Sequence, residues 1–237
     1  MKQILLLVTI FTINASLQAQ KKAPKFTNTG KANDHFMIQL TADTWLGKPD
    51  SINTKSIGRG ANVYGMVNYP FKTNKHMSVA IGAGIGSSSV YFDKQKVAIT
   101  GTVKTLAFTN VDTVNHYKKY KVTTAYLELP IELRFTQNTN NLKKSWKFAV
   151  GAKIGTLLNA YTKGKTLQDK NGNDINAVTE KLKSKKTYFS NSRIALTGRV
   201  GYGNLSLFAQ YQVTNIFKDG VSAIINPLGI GIAISGL

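Results

Sequence analysis

The sequence predicts an all-β protein, an eight-stranded antiparallel up-and-down transmembrane β-barrel. Eight segments alternate apolar and polar residues with a period of two, and the connections between them alternate between short and long. The N-terminus also carries an export signal. A sheet can cross a bilayer only when it is closed, because lipid cannot satisfy the hydrogen-bonding groups of a free edge.

Residues 1–19 have the pattern of a cleaved secretory signal peptide. Lys2 precedes an apolar run from Ile4 to Phe11, and we expect cleavage between Ala19 and Gln20. The apolar run is shorter than the roughly 18 residues that span a bilayer, which disfavours a membrane-anchoring helix. We therefore expect export, with the outer membrane as the destination.

The rest of the chain has the composition of one exported domain. Residues 20–33 are polar and aperiodic, which predicts a flexible lead, and residues 34–237 are expected to form the barrel. Because the chain has no cysteine, disulfides, thiolate metal sites and a cysteine nucleophile are excluded. The formal net charge of +20 suggests an acidic partner. The basic residues are scattered and the chain is exported, so we expect lipopolysaccharide phosphate and not nucleic acid.

The predicted strands place apolar side chains on one face and polar or small side chains on the other. In the clearest strand, Leu127, Leu129, Ile131, Leu133 and Phe135 alternate with Glu128, Pro130, Glu132 and Arg134. The other strands are predicted at 36–43, 61–69, 78–86, 146–155, 193–202, 205–213 and 228–235. Short connections are predicted at 70–75, 137–145 and 203–204, long ones at 46–60, 93–121 and 162–192, and one of intermediate length at 217–223. Because 97–103 and 117–124 also favour strand, we expect the third and fourth strands to project as one long hairpin.

The polar faces predict a packed, charged interior. Strands four to seven place these charged and amide side chains on one face: Glu128, Glu132, Arg134, Lys147, Lys153, Arg193, Arg199, Gln210 and Gln212. An eight-stranded barrel is only wide enough for its own side chains, so opposite charges are expected to pair and leave no open pore. Glycines at 82, 84, 86, 151, 155, 229 and 231 are expected to relieve crowding inside. A secreted β-sandwich, which alternates in the same way, is the alternative fold.

Aromatic residues at the strand ends predict girdles at the two membrane interfaces. They are Trp45, Tyr69, Phe71, Tyr91, Phe92, Tyr126, Phe135, Trp146, Tyr161 and Tyr202. Ordinary packing at strand ends is the alternative interpretation of the same residues.

The segment Tyr126–Phe135, followed by Lys147–Gly155, resembles the PorT-like outer-membrane β-barrel family of Bacteroidetes. The proline within a strongly alternating strand is the distinctive element. The resemblance extends from about Asp34 to Leu237, although outer-membrane barrels often end in an aromatic residue and this chain ends in leucine. It implies an eight-stranded barrel. Because a named member assists type IX secretion and gliding, it also implies an accessory role in such an apparatus as an alternative function.

The residues that could carry chemistry are few. His35, His76 and His116 lie in separate segments and lack the spacing of metal ligands. Asp112 lies close to His116 in a long connection, and a rim-active enzyme could use that pair. No Gly-Xaa-Ser-Xaa-Gly turn and no second acidic pair accompany it, so we expect no catalytic residue and no enzyme activity.

The segment Asp169–Asp174, with Glu180 further on, partly matches the ligand spacing of a calcium loop. Its glycine position holds Asp174, and nearby lysines repel a cation, so we expect a turn at Asn171-Gly172 and neither metal nor cofactor. The lysines of the long connections could form a positive crown, with simple solvation as the alternative. They are Lys94, Lys96, Lys104, Lys118, Lys119, Lys121, Lys163, Lys165, Lys170, Lys181, Lys183, Lys185 and Lys186. We therefore expect a structural or interaction role, with lipopolysaccharide, an envelope protein or a secretion protein as the partner.

Overall fold

The computed structural model describes residues 36–236 except for residues 56, 102 and 185–187. The predictions for the signal peptide, the lead at 20–33, His35, Lys185, Lys186 and Leu237 lie outside these residues. The strands are β1 Phe36–Leu46, β2 Gly58–Pro70, β3 Met77–Phe92, β4 Gln95–Val97, β5 Phe108–Asn110, β6 His116–Thr136, β7 Trp146–Gln168, β8 Asp174–Lys183, β9 Ser192–Tyr202, β10 Leu205–Gln212 and β11 Asn226–Ser235. Within the described part of the chain, no helix has the length and apolar character needed to span a membrane.

Eight of the strands close into an antiparallel ring in the order β1-β2-β3-β6-β7-β9-β10-β11. The first and last strands complete it, with Met37 opposite Ser235 at one end and Leu46 opposite Asn226 at the other. Each predicted strand forms one strand of the ring. The prediction of an eight-stranded up-and-down barrel is therefore confirmed, and the sandwich is excluded because the first and last strands pair and close the sheet on itself.

The wall of the barrel has its apolar face outward. On β1, Gln39 and Asp43 are buried in the interior, whereas Ile38 and Leu40 are exposed on the outside. The other ring strands also expose apolar side chains, among them Val63, Val67, Ile81, Ile85, Leu127, Leu129, Ile131, Ile154, Leu196, Leu207, Ile230 and Ile232. A polar interior behind an apolar exterior is the inverse of a soluble protein and suits the hydrocarbon core of a bilayer.

Small residues allow the strands of this narrow wall to approach closely. A Cβ atom on Gly151 would lie 2.1 Å from the carbonyl oxygen of Ile131, and one on Gly231 would lie 1.9 Å from that of Leu40. No real side chain fits at such distances, so the expectation that glycines relieve crowding is confirmed at these positions. Pro130 has no N–H to donate, and the β3–β6 ladder is interrupted opposite it.

The long-loop end differs from the prediction in two ways. The hairpin of β3 and β6 does project, with Phe92 paired to Tyr120, but 97–103 is not a strand beyond Val97. Of the side chains there, Val97 and Ile99 are buried, whereas Val103 is exposed. The predicted loop 162–192 is instead mostly strand, since β7 continues to Gln168 and β8 pairs with it. Nearly every residue of β8 is exposed, so it has no apolar alternation that could have predicted it.

A β-bulge marks the level at which β7 changes its partner. Leu158 is the extra residue, because Leu157 lies opposite Tyr126 while Asn159 lies opposite Ala125. Below the bulge β7 pairs with β9, and above it β7 pairs with β8. A bulge of this kind bends and twists its strand. The result is a three-stranded extension, β6-β7-β8, that stands beyond the ring.

Candidate functional site

Glu128 is the centre of one half of the charged interior. Its side chain is fully buried and accepts hydrogen bonds from Arg193 Nη1 at 2.7 Å and from the hydroxyl of Tyr64. These partners come from β9 and β2, on different sides of the ring. The carboxylate therefore joins strands that do not pair with one another.

Glu132 is the centre of the other half. Its Oε2 atom accepts from Arg134 Nε at 2.8 Å and from Arg199 Nη2 at 2.9 Å, and all three side chains are buried. Between the two carboxylates, Lys153 Nζ donates to the side-chain oxygens of Gln39 at 2.8 Å and Gln210 at 3.0 Å. The predicted network of opposite charges is thus confirmed, with Lys147 only half-buried at the short-turn rim.

An apolar cluster fills the interior at the long-loop end, and we call it the cap. Its ring-strand members are Trp45, Val90, Phe92, Tyr120, Val122, Tyr126, Leu157 and Ala160, and its other members are Ile52, Val97, Ile99, Leu106, Tyr188, Phe189, Ile216, Phe217, Val221 and Ile225. The Trp45 ring packs in T-shaped geometry against the rings of Phe92 and Phe217, with ring centroids 5.6 Å apart in both pairs. The long connections therefore fold inward and cover the mouth of the barrel.

The cap corrects part of the aromatic-girdle prediction. Trp45, Phe92 and Tyr126 were expected at a membrane interface, but they are buried inside the barrel. Trp45 has the same parity on β1 as the buried Gln39 and Asp43, so alternation alone could have placed it inward. The girdle is found at the short-turn rim, where aromatic side chains are 39–49% exposed: Tyr69, Phe71, Phe135, Trp146 and Tyr202.

The pair Asp112 and His116 is not assembled as a catalytic dyad. Asp112 binds Lys94 Nζ at 2.5 Å, and this hydrogen bond, with the charge of Lys94, holds the pKa of the Asp112 carboxyl below its usual value. His116 is buried, with its Nδ1 atom 3.0 Å from the carbonyl oxygen of Val114. His76 lies at the opposite rim, where its Nδ1 is 2.9 Å from the carbonyl oxygen of Thr136.

The segment that partly matches a calcium loop forms a hairpin turn. Asp169 accepts hydrogen bonds from the backbone N–H groups of Asn171 and Asn173, and the side-chain and backbone donors of Asn173 are the main cause that holds the pKa of Asp169 below its usual value. Glu180 lies on β8 and accepts from the hydroxyl of Tyr117. The two carboxylates therefore bind protein donors in different places. A turn at Asn171-Gly172 is confirmed.

Acidic side chains line one surface cleft of about 420 Å³ at the long-loop end, formed by Asp50, Ser51, Asn53, Asp93, Lys94, Gln95, Asn110 and Asp112. Asp93 is paired with Lys55 at 3.1 Å, as Asp112 is with Lys94. The lysines therefore neutralise two of the three carboxylates. Across the described residues, no group of three or more histidine or acidic side chains could hold a metal ion.

The lysines of the predicted crown are divided among different surroundings. Lys94 and Lys118 pair with Asp112 and Asp174. Six others lie on the outward face of the β6-β7-β8 extension, and we call this set the basic face: Lys119, Lys121, Lys163, Lys165, Lys181 and Lys183. The lysines were identified from the sequence, but their arrangement in rows was not, because β8 could not be predicted.

Comparison with known proteins agrees with this architecture. A family model described as an outer membrane protein beta-barrel domain matches residues 18–222. No curated protein matches the chain.

Proposed function

The chain belongs to the outer membrane protein beta-barrel domain family, and from that premise we propose that it is a closed barrel with a structural or interaction role. It passes no solute and turns over no substrate. It sits in the outer membrane after signal-peptide cleavage and presents its long-loop end to lipopolysaccharide or to another envelope protein.

The observation that carries this proposal is the filling of the interior along its whole length. Toward the short turns, the lumen holds the buried side chains of Glu132, Arg134 and Arg199. Toward the long loops, it holds the cap. An eight-stranded barrel has no room for a channel beside such side chains. Because the lumen is filled, a binding role would use the outer surface, and the long connections supply such a surface.

The surroundings of the candidate dyad support the absence of catalysis. A general base needs a side chain within hydrogen-bonding reach of the proton that it removes. Asp112 is engaged by Lys94, and the Nδ1 atom of His116 is directed to a backbone carbonyl within a buried site. Asp112 lines the acidic surface cleft together with Lys94, but His116 is not among the residues that line it.

Reconstitution into planar lipid bilayers tests the closed barrel. Folding and insertion are first established by the shift in gel mobility on boiling, and an open porin inserted in the same way serves as the positive control. We expect no conductance steps from the wild-type protein, because charged and apolar side chains exclude a continuous water path. Regular conductance steps from the folded, inserted protein would contradict the proposal.

An accessory role in type IX secretion and gliding is a second candidate function. The resemblance to PorT-like proteins supports it, and so does strand β8, which pairs only with β7 among the described residues and leaves one edge exposed. Such an edge can accept a strand from a partner protein. Deleting the gene is expected to impair secretion and gliding, and a deletion strain that retains both at full level would remove this candidate.

A further inference from the structure

The basic face is an ordered array of like charges. Lys121, Lys163 and Lys181 lie directly opposite one another on three neighbouring strands, and Lys119 lies opposite Lys165 in the adjacent row. Between these rows and beside them, Tyr120, Val122 and Thr162 are buried on the inner side. Since side chains alternate along a strand, the lysines point outward.

The like charges of the basic face destabilise the pairing of β6, β7 and β8 unless anions bind to them. Like charges directly opposite on neighbouring strands are destabilising. Among the described residues, no carboxylate forms an ion pair with any lysine of the basic face, because Asp174 pairs with Lys118 and Glu180 accepts from Tyr117. The contacts of the basic face are of other kinds: Lys121 donates to Ser89, and Lys181 lies over the Tyr161 ring at 4.2 Å.

The basic face begins where the lipid-facing wall ends. Leu127 and Ile154 are exposed on the outer wall of β6 and β7. Two half-buried tyrosines lie level with the first lysines, since Tyr91 is opposite Lys121 and Tyr161 is opposite Lys183, and each lies beneath a lysine ammonium. Lys121 is six residues beyond Leu127 on β6, which is roughly 20 Å along the strand and less along the membrane normal because barrel strands are tilted. Aromatic rings and cations together at the edge of an apolar wall match the chemistry of a bilayer's interface and headgroups.

We propose that the basic face binds the phosphate groups of a lipid headgroup in the surrounding outer leaflet. The acyl chains of that lipid pack on the apolar wall, and its phosphates lie across Lys121, Lys163 and Lys181. Lysine ammonium groups bind phosphate as point charges, which suits a row of three without a fixed fork geometry. This inference rests on the proposed function for the membrane placement, with the long loops outward. The adjoining apolar wall favours a membrane lipid over nucleic acid or an acidic protein.

The test compares two triple variants of the full chain in detergent micelles. Lys121→Gln/Lys163→Gln/Lys181→Gln removes the central row of the basic face. Lys72→Gln/Lys75→Gln/Lys144→Gln removes the same charge from exposed lysines at the short-turn rim. The single variant Lys163→Gln tests the central position alone. The probes are lipid A that carries its phosphates, the same lipid after removal of its phosphates, and inorganic phosphate, and binding is measured by native mass spectrometry.

We expect the basic-face triple variant to bind phosphorylated lipid A at least about tenfold more weakly than the wild type, because each lysine adds to the attraction of an anionic headgroup. The rim variant should bind as the wild type does, and Lys163→Gln should lie between. Lipid without phosphates should bind the wild type as weakly as phosphorylated lipid binds the triple variant. All variants should keep the gel mobility of the folded barrel, since the substituted side chains lie on the outward face of their strands or are exposed at the short-turn rim.

Equal binding by the two triple variants would overturn the proposal, as would equal binding of lipid with and without its phosphates. Displacement of bound lipid by an equal concentration of inorganic phosphate would overturn the assignment to a membrane lipid. Failure of the closed-barrel proposal is seen separately, as conductance from the wild-type protein. That result would leave the difference between the two triple variants intact.

Discussion

The two ends of the barrel interior are filled with opposite chemistry. Around Glu128 and Glu132 the filling is mainly charged, with a small apolar cluster of Met37, Tyr64, Met66 and Ala80 beside it, and it comes from the ring strands. Around Trp45 and Phe217 it is apolar, and it comes largely from the long connections. The difference follows from the surroundings. At membrane depth the ring strands present most of their apolar residues to lipid and place polar ones inside, whereas connections in water bury their apolar residues against one another.

The charged filling and the apolar filling also differ in how much stability is lost when one side chain is removed. A buried ion pair is costly to desolvate, and its stability rests on each charge keeping its counter-charge. An apolar cluster loses contacts in proportion to the volume removed, and neighbouring side chains can move to fill part of the gap. The loss in the free energy of unfolding should therefore differ between single substitutions at the two ends.

The largest effect is expected from Glu132→Gln. The substitution keeps the shape of the side chain but leaves the buried guanidinium groups of Arg134 and Arg199 without their shared carboxylate. We expect a loss of about 3–5 kcal/mol in the free energy of unfolding. The measurement is the urea concentration at which half of the protein loses the gel mobility of the folded barrel.

Glu180→Gln is the matched control for this substitution, because Glu180 is exposed on β8 and outside the ring. It should unfold at the urea concentration of the wild type. If Glu132→Gln were as stable as the control, the interior charges would not stabilise the barrel by pairing, and the contrast between its two ends would fail.

A smaller effect is expected from Trp45→Ala. The indole contacts Phe92 and Phe217, so its removal leaves a cavity in the cap. We expect a loss of about 3 kcal/mol, at the lower end for such substitutions, because the long connections can close part of the gap. The same urea titration measures it, and the conductance assay reports whether the mouth opens.

Trp146→Ala is the control, since Trp146 is 49% exposed at the short-turn rim and packs on one side against Tyr202. It should cost clearly less than Trp45→Ala in the same detergent. Equal losses for the two tryptophans would show that the cap adds no stability beyond that of an interfacial ring.

Much of the fold and of the charged interior could be predicted from local pattern. The inward positions of Glu128, Lys153 and Arg199 follow from the alternation within single strands. Alternation also shows how many charged side chains face inward, and in a narrow lumen so many charges must pair. The specific partners did not follow, because Arg193 and Tyr64 reach Glu128 from strands far apart in the sequence. Alternation gives the side of the wall but not the partner across the lumen.

The sequence by itself determined the eight ring strands, the inward or outward direction of their side chains, and the closure that lipid imposes on a sheet. Only the tertiary structure decided that Val97, Ile99 and Leu106 of one long connection enter the mouth of the barrel and that β8 aligns Lys181 with Lys163 and Lys121. The reason is physical. Alternation with a period of two is a property of neighbouring residues, whereas the cap and the basic face depend on which distant segments come together when the ring closes.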